Sequence, residues 1–345
     1  MANLDIYGTY YLAGVFDQIV PEAALFLDTF FSKYPVIQSN SEKVYFDDVP
    51  GKTKGASPFV SPRRESPTFG REGYETSEFK PAYIKEKIDL TPDLGFSRIP
   101  GERFGGEYSP MQRLEYYLAQ DLRRLKDRWR NRMELMAAEL VKTGKLTVKG
   151  DGIDQQLNFG RDRSLNISLS GDNSWASPEF KMREFLNKRR SNMASKNRRN
   201  TSPNIAWIGS DAEEMLLRNL ELKEIVSDFR RDAEVRLRLS PGLQSFENLV
   251  YVGNFGSVDF FKLEAKDPEG NPFIGPKQML LTTGDIHGVQ MFGAIWDLKA
   301  RLVANQVFMK SWEVESPSTR FVELQSAPIL GSFDPNCAEL INVAS

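Results

Sequence analysis

One histidine and one cysteine stand in a chain of 345 residues. His287 lies in Thr283-Gly284-Asp285-Ile286-His287-Gly288, and Cys337 follows Pro335-Asn336 near the end. A Ser-His or Cys-His arrangement needs a histidine beside its nucleophile, and one histidine leaves little room for it. Most zinc sites are excluded by the same two counts, and a single Cys forms no intrachain disulfide. A lone His beside glycine in a strand-edge loop is more often structural than catalytic. Cys337 reads as an inert small residue. Asp and Glu are abundant, but none sits at a spacing that predicts paired acid and base carboxylates. The chain carries no Walker A loop, no G-x-G-x-x-G after a strand, no H-E-x-x-H and no G-x-S-x-G. The residues predict no catalytic group, no cofactor site and no metal site.

Phosphate contact is the other chemistry on offer. Residues 181–199 hold eight basic residues and one acid, the most basic window of the chain. Arg189, Arg190, Arg198 and Arg199 are its candidate DNA-facing residues, acting through sequence-independent phosphate contacts. A second basic stretch spans 123–132, with Arg123, Arg124, Lys126, Arg128, Arg130 and Arg132 against Asp127. Neither window is interleaved with aromatics that could stack bases. Overall charge is balanced, 45 basic against 47 acidic residues, which argues against a dedicated nucleic-acid binder. A solvated face and a solvated loop are the plainer readings of the two windows.

The element that must organise these residues is a helix over 110–143. Apolar residues fall at Leu114, Leu118, Leu122, Leu125, Trp129, Met133, Met136 and Leu140, one continuous helical face. Ser109 is placed to cap it, Pro110 suits its first position, and Gly144 follows its end. At 1.5 Å per residue it is ~50 Å long. No second helix of matching length shares the seam, so the stripe is expected to lie along a sheet.

Around this helix the chain reads in order. Residues 1–40 form an aromatic-rich arm (Tyr7, Tyr10, Tyr11, Phe16, Phe26, Phe30, Phe31) that must bury its rings on its own body or on a neighbour. Strand-like runs at 43–47 and 79–90 bracket a charged tip, 62–77, and describe a long hairpin. That tip holds Arg63, Arg64 and Arg71 beside Glu65, Glu72 and Glu75, with too few apolar groups for a core of its own. Asp151-Gly152 predicts a second hairpin over 146–159. A second helix is expected from Ser177-Pro178, and a third from a capping box at Ser210 and Glu213 running through Leu216, Leu220, Ile225 and Phe229. Strands at 249–252, 258–263 and 278–283 complete an α+β block, and the tail returns to strand pattern at 320–324 and 339–343. The N-terminus has no basic residue before Lys33, and no apolar run reaches the ~20 residues of a membrane span. A reducing cytoplasm is the expected setting, with no membrane partner.

Several ordered segments resemble one family. Phe30-Phe31-Ser-Lys-Tyr34-Pro35, Glu42-Lys43-Val44-Tyr45, Val49-Pro50-Gly51 and Thr76-Ser77-Glu78-Phe79-Lys-Pro81-Ala-Tyr83-Ile-Lys85 are similar to the N-terminal region of lambda-type phage major capsid proteins of the E family. Phe159-Gly160-Arg161, Asn166-Ile167 and Trp175-Ala176-Ser177 continue the likeness, and Gln325-Ser326-Ala327-Pro328 with Asp334-Pro335 closes it. The stretch 181–205 departs from the pattern as a longer, more basic insertion. The resemblance implies an α+β Hong Kong 97-type capsid fold: an N-terminal arm at 1–40, an extended loop at 41–90 and a peripheral domain at 91–180 with the spine helix. An axial domain at 181–305 follows, and strands at 306–345 are expected to return to the peripheral domain. It implies a major capsid protein of a tailed phage or prophage, self-assembling from hexameric and pentameric capsomers into an icosahedral shell around double-stranded DNA. A decoration protein, a scaffold and a portal are its further implied partners, the virion its location and the host cytoplasm its place of assembly. Two other classes stay open: a cytoplasmic enzyme with carboxylate or metal chemistry, and a nucleic-acid binder using the basic windows.

Overall fold

The computed structural model describes residues 7–41, 43–48, 75–103, 106–150, 153–221 and 248–344. In chain order they form α1 (Thr9–Gln18), α2 (Leu25–Phe31), β1 (Ile37–Gln38), β2 (Val44–Asp48), β3 (Glu75–Phe79), β4 (Ile84–Leu90), α3 (Pro92–Phe96) and α4 (Pro110–Thr143). Next come β5 (Lys145–Gly150), β6 (Ile153–Asn158), β7 (Asn166–Ser168), α5 (Met182–Lys196), β8 (Ile205–Ile208), α6 (Ser210–Arg218), β9 (Leu249–Phe255) and β10 (Val258–Leu263). The chain ends with β11 (Gln278–Thr282), β12 (Gly288–Phe292), β13 (Phe308–Val314), β14 (Thr319–Ser326), β15 (Pro328–Ser332) and β16 (Ala338–Asn342).

Helix α4 begins and ends where its capping residues place it. The Gln112 N–H donates to Ser109 Oγ (3.3 Å) and the Ser109 N–H to Gln112 Oε1 (2.8 Å), a reciprocal capping box. At the other end Gly144 takes φ 71°, the left-handed conformation that costs glycine least. The apolar stripe is buried, but it serves two cores rather than one. Leu118, Leu122 and Leu125 pack with Leu12, Phe16, Leu90, Val322 and Leu324 on the three-stranded sheet β13-β14-β4. Met133, Ala137, Leu140 and Val141 join the largest core, with α2 and strands from the rest of the chain. Trp129 lies between and touches both. Leu122→Ala therefore opens a cavity over a sheet, and Met133 one in a core shared by several segments.

Among the described residues the largest sheet has six strands in the order β7-β16-β11-β8-β10-β9. Side chains alternate across it. Trp207 on β8 faces the large core, where Phe26 meets it edge-on (5.1 Å, 83°). Ala206 and Ile208, its neighbours on the strand, face a separate core beneath α5 and α6 with Met182, Leu186, Met193 and Leu216. Burial on both faces explains why β11 reads as an unbroken apolar run, Met279-Leu280-Leu281.

The topology corrects several expectations. Strand β16 lies inside the six-stranded sheet, antiparallel to β11 (Leu280↔Leu340), so the end of the chain joins the sheet under α5 and α6. Strands β13 and β14 lie beside α4 through the pairing of β14 with β4 (Val322↔Ile88), and β15 and β16 also touch α4, Ile329, Leu330 and Ala338 sharing its large core. The physical reason is that β16 is buried almost throughout and needs cover on both faces. The return strand of the long hairpin is β3, which pairs with β2 (Tyr45↔Glu78), whereas β4 belongs to the spine-side sheet. Pro81 separates the two, and a proline without an N–H interrupts a ladder. Helix α5 starts at Met182, not at Ser177-Pro178, where the backbone is turned. Helix α6 has Gly209 at its N-cap; Ser210 Oγ donates to Asp211 Oδ1, so the expected capping box is not made. It ends at Arg218, and the expected continuation through Ile225 and Phe229 lies outside the described residues. Segment 160–176 contains β7, held parallel to β16 (Ile167↔Ile341).

Candidate functional site

His287 sits in a clasp of three chain segments. Its ring stacks on Tyr34 (4.1 Å between centroids, 25°) and meets Phe333 (5.1 Å). Arg199 donates to Asp285 Oδ2 (2.6 Å) and to Tyr34 Oη (2.7 Å), with its other guanidinium contact 3.3 Å from His287 Nδ1. The His287 N–H donates to Asp285 Oδ1 (2.8 Å). Burial and the adjacent Arg199 push the imidazole below its usual range, against Asp285 and Asp334. The ring is thus neutral at neutral pH, packed on both sides and keyed to a guanidinium. This geometry joins the arm, the segment after α5 and the β11–β12 loop; no Ser or Cys nucleophile is among these contacts. Cys337 is buried, and burial pushes its thiol up to about 12, so the reactive thiolate is not formed at neutral pH. Among the described residues no group of three or more His, Cys, Asp and Glu could hold a metal ion.

The four candidate DNA-facing arginines have different surroundings. Arg189 is buried, ion-paired with Glu339 on β16, and donates to Ser164 O (2.6 Å). Burial raises the Glu339 carboxyl while Arg189 and Arg161 oppose the rise. Arg189 is therefore spent inside the subunit, because a carboxylate enclosed in the sheet needs a cation beside it. Arg190 donates to the carbonyls of Pro203 (3.1 Å) and Gly256 (3.0 Å). The Arg198 N–H donates to Asp334 Oδ2 (2.9 Å), and Arg199 belongs to the clasp above. The exposed cations of 181–199 are Lys181, Arg183, Lys188 and Arg199, the last tied to Asp285 and Tyr34. Of the candidate intersubunit residues, Arg63, Arg64, Glu65, Arg71 and Glu72 lie outside the described residues. Glu75 opens β3 opposite Asp48, and its side chain is not described.

The charged face of α4 binds its own arm. Arg130 holds Asp28 (2.6 and 2.7 Å) and Glu22 O (2.8 Å), and Lys126 donates to Phe16 O (2.6 Å) above the Phe16 ring. Arg128 grips Glu86 with two hydrogen bonds (2.8 and 2.9 Å). Arg123, Arg124 and Arg132 remain exposed. Of the two settings open to the arm, α2 takes its own subunit: Leu25, Phe26, Leu27, Phe30 and Phe31 are all buried.

Two polar groups, Glu134 and Glu102, escaped the sequence reading, and so did the role of a third, Arg161. Glu134 is buried on the stripe side of α4 and accepts the first N–H groups of α2, from Phe26 and Leu27 (2.8 Å each). Burial outweighs these bonds and raises its carboxyl to about 7. Arg161 closes the other end of α4, donating to Lys142 O (2.8 Å), Val141 O (2.8 Å) and Pro335 O (2.9 Å). The carbonyls of Val141 and Lys142 are orphan acceptors of the α4 C-terminus, where a cation is favoured. Glu102 collects Arg113 (2.7 and 3.1 Å) and the N–H groups of Ile99, Glu107 and Tyr108, and Arg113 holds it down to about 2. A charged residue in an apolar window signals such a partner. Its identity is not local: Glu134 is 108 positions from Phe26.

A crystal structure of a prophage capsid protein from Escherichia coli CFT073 is similar over 97% of this chain and 99% of that one, with a TM-score of 0.68 and 19% identity. A phage-related protein of Bordetella bronchiseptica matches with a TM-score of 0.50 and 11% identity, over 96% and 94% of the two chains. The α+β fold is thereby related to the Hong Kong 97-type capsid fold. In sequence, the major capsid protein of Escherichia phage lambda is 26% identical over 344 residues, covering 96% of this chain and 98% of the relative. Those of Enterobacteria phage P21 and Escherichia phage N15 are each 25% identical over the same shares. The model of the phage major capsid protein E family matches residues 8–338, and the chain belongs to that family.

Proposed function

We propose that this chain is the major head protein of a tailed phage or prophage, self-assembling in the host cytoplasm into the icosahedral shell that encloses double-stranded DNA. The observation that carries the reading is the family match, which spans residues 8–338, from the arm through the spine to the strands near the end. In this reading residues 1–40 are the N-terminal arm, 41–90 the extended loop, and α4 the spine of a peripheral domain. The sheet under α5 and α6 is the core of an axial domain. Hexameric and pentameric capsomers are the assembly units, and a scaffold, a portal and a decoration protein are the heterologous partners. DNA contact is non-specific and falls to exposed cations such as Lys181, Arg183 and Lys188, since Arg189 is used internally. A purely structural role is supported by an imidazole packed between Tyr34 and Phe333 and by a buried thiol.

Sedimentation and negative-stain imaging of the expressed chain test this. Megadalton particles or free capsomers are the expected outcome. A chain that stays a monomer or small oligomer overturns the proposal.

A further inference from the structure

The loop between β12 and β13 displays apolar side chains in a fixed frame. Leu298 is 85% exposed, Trp296 64% and Leu302 53%, and they line a shallow groove with Asn40 and Ile295. The frame is rigid. The Trp296 N–H donates to Tyr83 Oη (2.9 Å), and Tyr83 donates to Gln325 Oε1 (2.6 Å). Asp297 accepts from the Lys299 N–H (2.9 Å), Lys310 Nζ (2.5 Å) and Gln325 Nε2 (3.1 Å). Arg301 and Leu302 both take φ 57°, a conformation that costs non-glycine residues energy and persists where surrounding contacts impose it. Lys299 and Arg301 are exposed on the same loop, next in sequence to Leu298 and Leu302, and the Lys80 ammonium lies 5.5 Å from the centre of the Trp296 ring. This end of the sheet is apolar and basic.

The opposite end of the same sheet is apolar and acidic. Strand β4 begins beside the groove, at Ile84 opposite Ser326, and ends at Leu90 opposite Arg320. Its seven residues separate the two ends by ~20 Å. Beyond Leu90, α3 exposes Phe96 (75%) with Asp93, and the β13–β14 turn exposes Val314 with Glu315. Asp89 is exposed on the same end of β4. The cations nearby are engaged: Arg98 donates to Glu102 O (2.5 Å) and Arg320 is paired with Glu313.

We infer that these two ends bind each other between copies of this chain: the groove of Trp296, Leu298 and Leu302 receives the Phe96 end of the next subunit, with Lys299 and Arg301 facing its acids. The inference rests on the shell reading above and names a contact that serves it. Complementary charge selects the partner, and apolar anchors in a preordered frame limit the entropy lost on binding. Head and tail lie at different ends of one rigid sheet, so they cannot meet within a subunit. The contact is heterologous, and such contacts propagate into rings or closed assemblies.

The test uses full-length chains. Leu298→Asp breaks the head, and Phe96→Lys breaks the tail. Both positions are exposed, so each variant keeps its wild-type melting temperature but loses roughly tenfold or more of its particle yield in sedimentation. Arg301→Glu, which leaves every apolar residue in place, reproduces the loss. Mixing the head variant with the tail variant restores one intact contact per pair and yields dimers without particles. Normal particles from Leu298→Asp, from Phe96→Lys or from Arg301→Glu overturn the inference while leaving the shell reading intact, as does a mixture without dimers. A wild-type chain that never assembles overturns both.

Discussion

Glu134 is an ionisable group whose protonation belongs to the fold. Its carboxyl is raised to about 7 in the folded chain, chiefly by burial, above the ordinary Glu value of roughly 4.3 in the unfolded chain. The folded state therefore binds this proton more tightly. The stability it brings is complete below the unfolded value and is lost as pH rises through about 7. The whole effect is on the order of 3 kcal/mol. Melting temperature should fall between about pH 5 and pH 8, and Glu134→Gln should reduce that slope, leaving the share of Glu339, also raised by burial to about 7, while costing stability at low pH, since an amide has one acceptor for two N–H groups. A variant with the wild-type slope would show that another group titrates. Cys337 offers a second check at this scale. Its buried thiol, pushed up to about 12, should resist maleimide at pH 7.5 for as long as the chain stays folded, and react at once in denaturant.

At the scale of elements, α4 is a beam loaded along its whole length. Leu122, almost wholly buried against the spine-side sheet, should cost roughly 2–5 kcal/mol on truncation to Ala. Arg124, exposed and paired only with Asp121 one turn away (3.1 Å), should cost within about 0.5 kcal/mol. Equal losses in chemical denaturation would mean that the stripe is not the buried face. The end of the beam is as specific as its side. A Cβ on Gly144 would stand 2.6 Å from Arg161 Cβ, at a φ of 71° that already disfavours a side chain. Gly144→Ala should therefore destabilise by about 1 kcal/mol or more. It should also weaken the Arg161 cap, visible as faster hydrogen exchange in the last turn of α4.

At the scale of the molecule, β2 and β3 pair from Val44↔Phe79 to Asp48↔Glu75 and bracket the charged segment of the expected hairpin. Removing residues 62–74 keeps that ladder and takes away most of the charged tip, including Arg63, Arg64, Glu65, Arg71 and Glu72. If the tip works between subunits, the shortened chain folds with a near-normal melting temperature and fails to build particles. Single exposed ion pairs are worth only about 0–1 kcal/mol, but a closed shell repeats each of them at every subunit. Normal shells from the shortened chain, or a chain that no longer folds, would remove the tip from the assembly mechanism.

What the sequence determined by itself is what local chemistry determines. The span of α4 and its two ends follow from Ser109, Pro110, Gln112, Gly144 and a periodic stripe, all readable within a few residues of one another. The β5–β6 hairpin follows from alternation around Asp-Gly in the same way. The ordered family segments were legible too, and some have a structural role: Arg161 caps the spine, and Tyr34 braces the only histidine. Only the tertiary structure decided which basic residues stay outside. Arg189 and Lys188 are neighbours in one basic run, yet Arg189 faces Glu339, 150 positions away, and Lys188 faces solvent. It likewise decided that β16 enters the six-stranded sheet and that α2 lies on its own subunit. Those outcomes depend on which buried carboxylate, open strand edge or aromatic face a segment meets after the chain has folded back on itself. Such partners lie a hundred or more residues apart, beyond the reach of any local pattern.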